Sequence, residues 1–305
     1  MSNLKVFDYH GLPVRYVQTG TGEPVIMLHN GGSSHAIWDE VVNRLSGDYE
    51  LYALDLLGFG ESAKPGYGYT LDNYVKMLSE FIDANVSPPV CLVGNCMGSA
   101  ISLLYAYRHR KKVEALVLCN PLTEATFLGG WLGPLLRLRE KFPELNRRVY
   151  RPLGRLRLTS GIGVLATLFQ LGSLGRARGI HRNPELCACY ARPGQMEALL
   201  GVLDDLPNYS IIDRLVPGDD FPPICTIWGL ENKMLSPKAG RRLNATLRPL
   251  RQEWLPGCGH LVMLEQPDLV ASIIDEFFKA VRSGSYHRRG TSLKATGRGR
   301  YHGAL

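Results

Sequence analysis

Two stretches of this 305-residue sequence carry side chains that could do covalent chemistry. In Gly94-Asn95-Cys96-Met97-Gly98 a thiol stands between two glycines, where the apolar run Val90–Val93 gives way to a helix-length segment. This has the form Gly-x-nucleophile-x-Gly, a strained strand-to-helix turn whose neighbours must be small because the backbone comes close. A thiol there stands at a helix N-terminus, where unpaired N–H groups and the helix dipole favour a thiolate. In Gly257-Cys258-Gly259-His260 an imidazole follows a glycine-flanked residue, so its loop can fold back over Cys96 and offer a base. A Cys acyl-enzyme is a thioester, which reacts well with amines, thiols and carbanions compared with water, so this pair points toward acyl transfer or thioester chemistry while still allowing hydrolysis.

The elements that must position these groups alternate regularly. Val25–Leu28, Leu51–Leu54, Val90–Val93 and Ala115–Leu118 are short continuous apolar runs, separated by helix-length stretches from about Trp38 to Leu45, Leu71 to Ala84 and Met97 to Arg108. Strands apolar on both faces, alternating with helices, predict a parallel sheet covered on both sides. The pattern resumes at Pro223–Trp228 and Leu250–Leu255 and closes with a helix from about Leu269 to Val281. Pro121 to about Asp220 breaks the rhythm, has no convincing strand and reads as a helical insert. The expected organisation is a core over 1–120 and 221–281, an insert over 121–220, and a disordered basic tail over 282–305.

With those strands in place, the Gly-Asn-Cys-Met-Gly turn resembles the nucleophile elbow of the α/β-hydrolase superfamily, and the resemblance covers about residues 12–281. Three further motifs match in order: His29-Asn30-Gly31-Gly32 at the oxyanion loop, Asp55-Leu-Leu-Gly-Phe-Gly-Glu-Ser62 after the next strand, and the His260 loop running into Leu261–Leu264 and Glu265-Gln-Pro267. The resemblance implies an α/β-hydrolase fold with a helical cap or lid over the nucleophile. Cys in place of the usual Ser is similar to dienelactone hydrolases and to Cys-type thioesterases and acyltransferases. It further implies an oxyanion hole from the backbone N–H groups of Gly31 and Met97, a structural role for His29, and a third catalytic residue after Ile227-Trp228-Gly229. The family places Asp there; this chain has Asn232, with Glu231 adjacent, and Glu124 in a position from which some members draw their acid. Asn30 also departs from the family's usual Gly. A Cys-His pair resting as thiolate and imidazolium needs only an amide to hold the ring, as Asn does in cysteine proteases, which makes Cys96, His260 and Asn232 a consistent set.

The remaining features narrow the function. Family members that dehalogenate alkanes or open epoxides attack with Asp, so those activities are disfavoured. No Walker loop and no strand-linked GxGxxG is present, and the seven cysteines form no CxxC pair, so neither a cofactor nor a metal is expected. Cys91, Cys119 and Cys225, on apolar runs, read as buried and inert. Basic charge is concentrated: twelve Arg and Lys lie against three acidic residues between 137 and 192, and the chain from Arg282 onward has six basic residues and no acid. A basic insert suits an acidic partner such as acyl carrier protein, coenzyme A phosphates or an anionic membrane surface. The arginines are not interleaved with stacking aromatics, so nucleic acid is not expected. The segment Gly161–Phe169, apolar and too short to span a bilayer, reads as an acyl-chain lining or as insert core. No run reaches the ~18 apolar residues of a membrane span and the N-terminus lacks a secretory pattern, so a cytoplasmic protein is expected. The leading expectation is an enzyme that transfers or hydrolyses an apolar acyl group through Cys96; the alternatives are a simple esterase or lactonase and a catalytically silent binding protein.

Overall fold

The computed structural model describes residues 4–142, 144 and 160–285. Eight strands form one sheet in the order β1-β2-β4-β3-β5-β6-β7-β8, with β1 Lys5–Tyr9, β2 Leu12–Thr19, β3 Glu23–Leu28, β4 Tyr49–Leu54, β5 Val90–Asn95, β6 Val113–Cys119, β7 Ile224–Gly229 and β8 Arg251–Leu255. The six strands from β3 onward pair in parallel, and β1 and β2 add an antiparallel edge. This is the α/β-hydrolase architecture expected from the sequence, with the hairpin β1–β2 as the part that the apolar runs did not indicate.

Strand alternation sorts the core into two layers. Ile26, Leu28, Leu92, Leu116 and Leu118 face the side covered by α2, Leu71–Asn85, and α3, Met97–Arg108. Val25, Met27, Cys91, Val93, Ala115 and Val117 face the side covered by α1, Asp39–Leu45, and the last long helix, Pro267–Arg282. Cys91, Cys119 and Cys225 are buried in the sheet. In the last helix Val270, Ile273, Ile274, Phe277 and Phe278 are buried at helical spacing, so one stripe sits on the sheet.

Between β6 and β7 the described chain is helical: α4 Glu124–Leu128, α5 Gly133–Lys141, α6 Ser160–Gln170, α7 Ser173–Ala177, α8 Pro184–Cys189, α9 Gln195–Asp204 and α10 Ser210–Asp213. Arg147, Arg148, Arg151, Arg155 and Arg157 of the basic insert, and the basic tail beyond Ser285, lie outside the described residues. Among the described residues no helix is long and apolar enough to cross a membrane, and no cluster of His, Cys, Asp or Glu is arranged to hold a metal.

Candidate active site

At the end of β5 the backbone passes through Cys96 at φ +52° and ψ −110°, a conformation that residues with a side chain avoid. Its surroundings hold it there. A Cβ on Gly94 would stand 2.4 Å from the backbone of Gly98 and Ser99, and one on Gly98 would stand 2.2 Å from the carbonyl oxygen of Leu28. Cys96 N donates to Cys119 O at 2.9 Å, and Cys96 O accepts from Ala100 and Leu122 N–H, each at 3.1 Å. The strain is thus locked between β3, β5 and β6, as expected for a side chain that must be displayed rather than packed.

Cys96 faces a cavity of about 420 Å³ that Met97, Gly31 and His260 also line. The described lining is apolar apart from Asn30, Gln170, Tyr190, Cys96 and His260, and includes no Asp, Glu, Lys or Arg. Ile162, Leu165, Ala166 and Phe169 of α6 belong to it, so the apolar segment singled out in the sequence lies over the thiol. Burial beside this cavity pushes the Cys96 thiol up to about 12, and the Met97 N–H offsets only part of that. Burial thus works against the thiolate that the helix N-terminus favours.

The His260 loop is held from three sides. His260 N donates to Gln170 O at 2.7 Å, Asn120 Nδ2 donates to His260 O at 3.1 Å, and Gly259 N donates to Glu265 Oε1 at 2.7 Å. Burial drives the imidazole down to about 3, and no carboxylate offsets it. Its Nδ1 lies 3.2 Å from Asn232 Nδ2, while Asn232 Oδ1 accepts the Leu235 N–H at 3.0 Å. Among the described residues no hydrogen bond joins Cys96 Sγ to His260. Both shifts run against the thiolate–imidazolium pair expected from the sequence.

The other candidates fall in different places. Glu231, next to Asn232, turns to α7: its carboxylate accepts from Ser173 N and Ser173 Oγ at 2.7 Å each and meets Arg176 at 3.3 Å, contacts that hold it below its usual range, with the Ser173 hydroxyl the largest cause. Glu124 opens α4, and the ring nitrogen it was expected to compete for is taken by Asn232. Met97 is the first residue of α3, where backbone N–H groups have no partner within the helix. Asn30 donates to Gly31 O at 3.1 Å and to Gln170 Oε1 at 3.2 Å, and accepts from Ser33 Oγ at 2.8 Å, which fixes the loop beside Gly31. His29 braces it from behind: Nε2 accepts Leu56 N–H at 2.9 Å, so Nδ1 carries the proton toward Asn30 O at 2.7 Å.

Three residues that sequence reasoning missed tie the site together. Asn120, at φ +43°, accepts Gly229 N–H while donating to the His260 loop. Glu265, buried, accepts N–H groups from Gly172, Gly175 and Gly259, joining the base of α7 to the histidine loop. Gln170, at the end of α6, touches Asn30 and Tyr190 through its side chain and His260 through its carbonyl. Only Asn120 had a local signal, as a polar residue directly after a buried strand.

The comparisons support the fold that carries this site. The chain is 42% identical over 112 residues to 2-hydroxy-6-oxo-6-(2'-aminophenyl)hexa-2,4-dienoic acid hydrolase of Metapseudomonas resinovorans, a match spanning 35% of this chain and 39% of that protein. It is 26% identical to haloalkane dehalogenase 2 of Mycobacterium tuberculosis over 89% of this chain and 93% of that one. Its fold superposes on the crystal structure of a membrane phospholipase A with a TM-score of 0.73, at 22% identity, over 92% of this chain and 86% of that one. The family model for the alpha/beta hydrolase fold matches residues 23–267, the span from β3 to the helix that follows the His260 loop, and the chain belongs to that family.

Proposed function

We propose that the protein acts on an ester or thioester with an apolar acyl group, with Cys96 forming an acyl-enzyme that is resolved by water or by another acceptor. The observation that carries this reading is the Cys96 thiol at a strained turn, facing an apolar cavity that His260, Gly31 and Met97 share. In the proposed step Sγ attacks the carbonyl carbon, its proton passes to His260 Nε2, and the N–H groups of Gly31 and Met97 receive the oxyanion. Collapse expels the alcohol or thiol, which takes that proton, and leaves a thioester on Cys96. Two such donors are together worth several kcal/mol, and loss of one typically costs about 100-fold or more.

The relatives' activities fit this cavity less well. The Metapseudomonas relative is named for a dienoic acid, and the described lining residues include no Lys or Arg to pair with such a carboxylate. Displacement of a halide by Cys96 would give a thioether, which water does not cleave. The excess of Arg and Lys between 137 and 192 supports delivery of the acyl group on an anionic carrier, acyl carrier protein or coenzyme A. A second reading, a silent binding protein, draws support from the neutral thiol and the depressed imidazole.

Intact mass after incubation with a medium-chain p-nitrophenyl ester separates the two. One acyl group on wild type and none on folded Cys96→Ala is the expected result; equal acylation of Cys96→Ala sinks the acyl-enzyme. A wild type that binds the ester but is never acylated establishes the binding protein. Product analysis with and without an amine or thiol acceptor then distinguishes transfer from simple ester or lactone hydrolysis.

A further inference from the structure

We infer that Asn232 locks His260 in the tautomer that carries its proton on Nε2, so that the resting site holds a hydrogen-bond donor where a base is needed, and that Asn232 thereby acts as a brake on Cys96. The amide at Asn232 has one oxygen and one NH₂, and its two neighbours decide which faces where. The backbone N–H of Leu235 can only donate, and Asn232 Oδ1 receives it at 3.0 Å. The NH₂ is then left facing His260 Nδ1 at 3.2 Å. An NH₂ opposite a ring nitrogen is satisfied only if that nitrogen is bare, so the ring proton must sit on Nε2.

A carboxylate in this position would accept from both Leu235 N–H and a protonated Nδ1, freeing Nε2 to take a proton. The amide can serve only one of these two donors. To arm the site, a proton must leave Nε2 and another arrive on Nδ1, with no net change in charge, while the amide turns through half a rotation and sets its NH₂ against Leu235 N–H. Imidazolium fares no better, because it would place N–H against NH₂; the depressed basicity of the buried ring agrees with this. Asn232 touches neither thiol nor substrate in this account and is a positioning residue. The inference rests on the acyl-enzyme reading only for its effect on turnover, since the tautomer is a property of the resting protein.

Long-range ¹H–¹⁵N correlation spectra of uniformly labelled protein test it directly, with the His260 signals assigned by their loss in His260→Gln. Wild type is expected to show His260 protonated on Nε2, and Asn232→Asp to show it protonated on Nδ1. Iodoacetamide labelling of Cys96 at pH 7 is expected to accelerate about tenfold or more in Asn232→Asp. A wild-type ring protonated on Nδ1 overturns the lock, even if Cys96 is still acylated. A ring that switches in Asn232→Asp without faster labelling overturns the brake.

Discussion

Two buried imidazoles, His35 in the turn after β3 and His260 in the loop after β8, are held by different partners. His35 Nδ1 lies 2.8 Å from Asp55 Oδ1, and the same carboxylate accepts His35 N–H and Glu61 N–H at 2.7 Å each. Burial lowers the His35 ring, yet the hydrogen bond and charge of Asp55 outweigh it and the net direction is up, while His35 helps hold Asp55 below its ordinary range. His260 has an amide in the corresponding role and falls to about 3. The Asp55 carboxylate offsets the burial of one imidazole; the other is buried more deeply, and its amide neighbour brings no charge to offset that. The structural pair thus has the electrostatics ordinarily associated with catalysis, and the catalytic candidate lacks them.

The sharpest way to break this contrast is to exchange the partners. With Cys96→Ser as background, adding Asn232→Asp restores a carboxylate behind the ring and is expected to raise ester turnover by up to about 10⁴-fold, the scale on which such an acid acts in serine hydrolases; a gain below about tenfold in kcat removes Asn232 as the deciding difference. The reverse exchange, Asp55→Asn, leaves His35, Glu61 and their N–H groups competing for one oxygen. It should lower stability by about 3–5 kcal/mol, read as a shift of the urea midpoint. Glu265→Gln keeps the size of a side chain that accepts three N–H groups from two loops but turns an NH₂ toward some of them, and about 1–3 kcal/mol should be lost.

The smallest effect is on the pH dependence of stability. His260 and His29 fall to about 3 and about 4 in the folded protein against 6.5 unfolded, so the unfolded chain binds more protons below pH 6.5. Stability is therefore full above that value and declines as pH falls toward 4. His35, raised, works the other way: its contribution is present below 6.5 and is lost as pH rises through its folded value. A melting temperature lower at pH 5 than at pH 7 is the expected net result, and the drop should deepen in Asp55→Asn.

Much of this was legible in the sequence because continuous apolar runs and the small residues around Cys96 are local signals. The six parallel strands and the elbow are of that kind. The hairpin β1–β2 escaped because Lys5–Tyr9 and Leu12–Thr19 mix charged and apolar residues, as befits an antiparallel edge with one wet face. Glu231 and Asn232 could not be told apart, since a single turn, closed by Asn232 N–H on Gly229 O at 3.2 Å, decides which side chain points inward. Gln170 gave no signal, since its partner Asn30 lies 140 residues away; Glu265 stood in the histidine-loop motif, but its link to Gly172, 93 residues away, was not legible. The pull of burial against a thiolate gave no signal either, because a helix terminus can be read from sequence, whereas the burial around it cannot.

Gln170 also sets how a ligand can reach the thiol. Its carbonyl holds the His260 backbone, its amide oxygen holds Asn30, and its NH₂ holds Tyr190. A helix anchored at its end to both working loops cannot swing aside like a door and leave them standing. Shifting the end of α6 would break hydrogen bonds to the His260 and Asn30 loops together, at about 1 kcal/mol for each. How a ligand packs against that one helix end is therefore expected to be felt on both sides of the thiol at once.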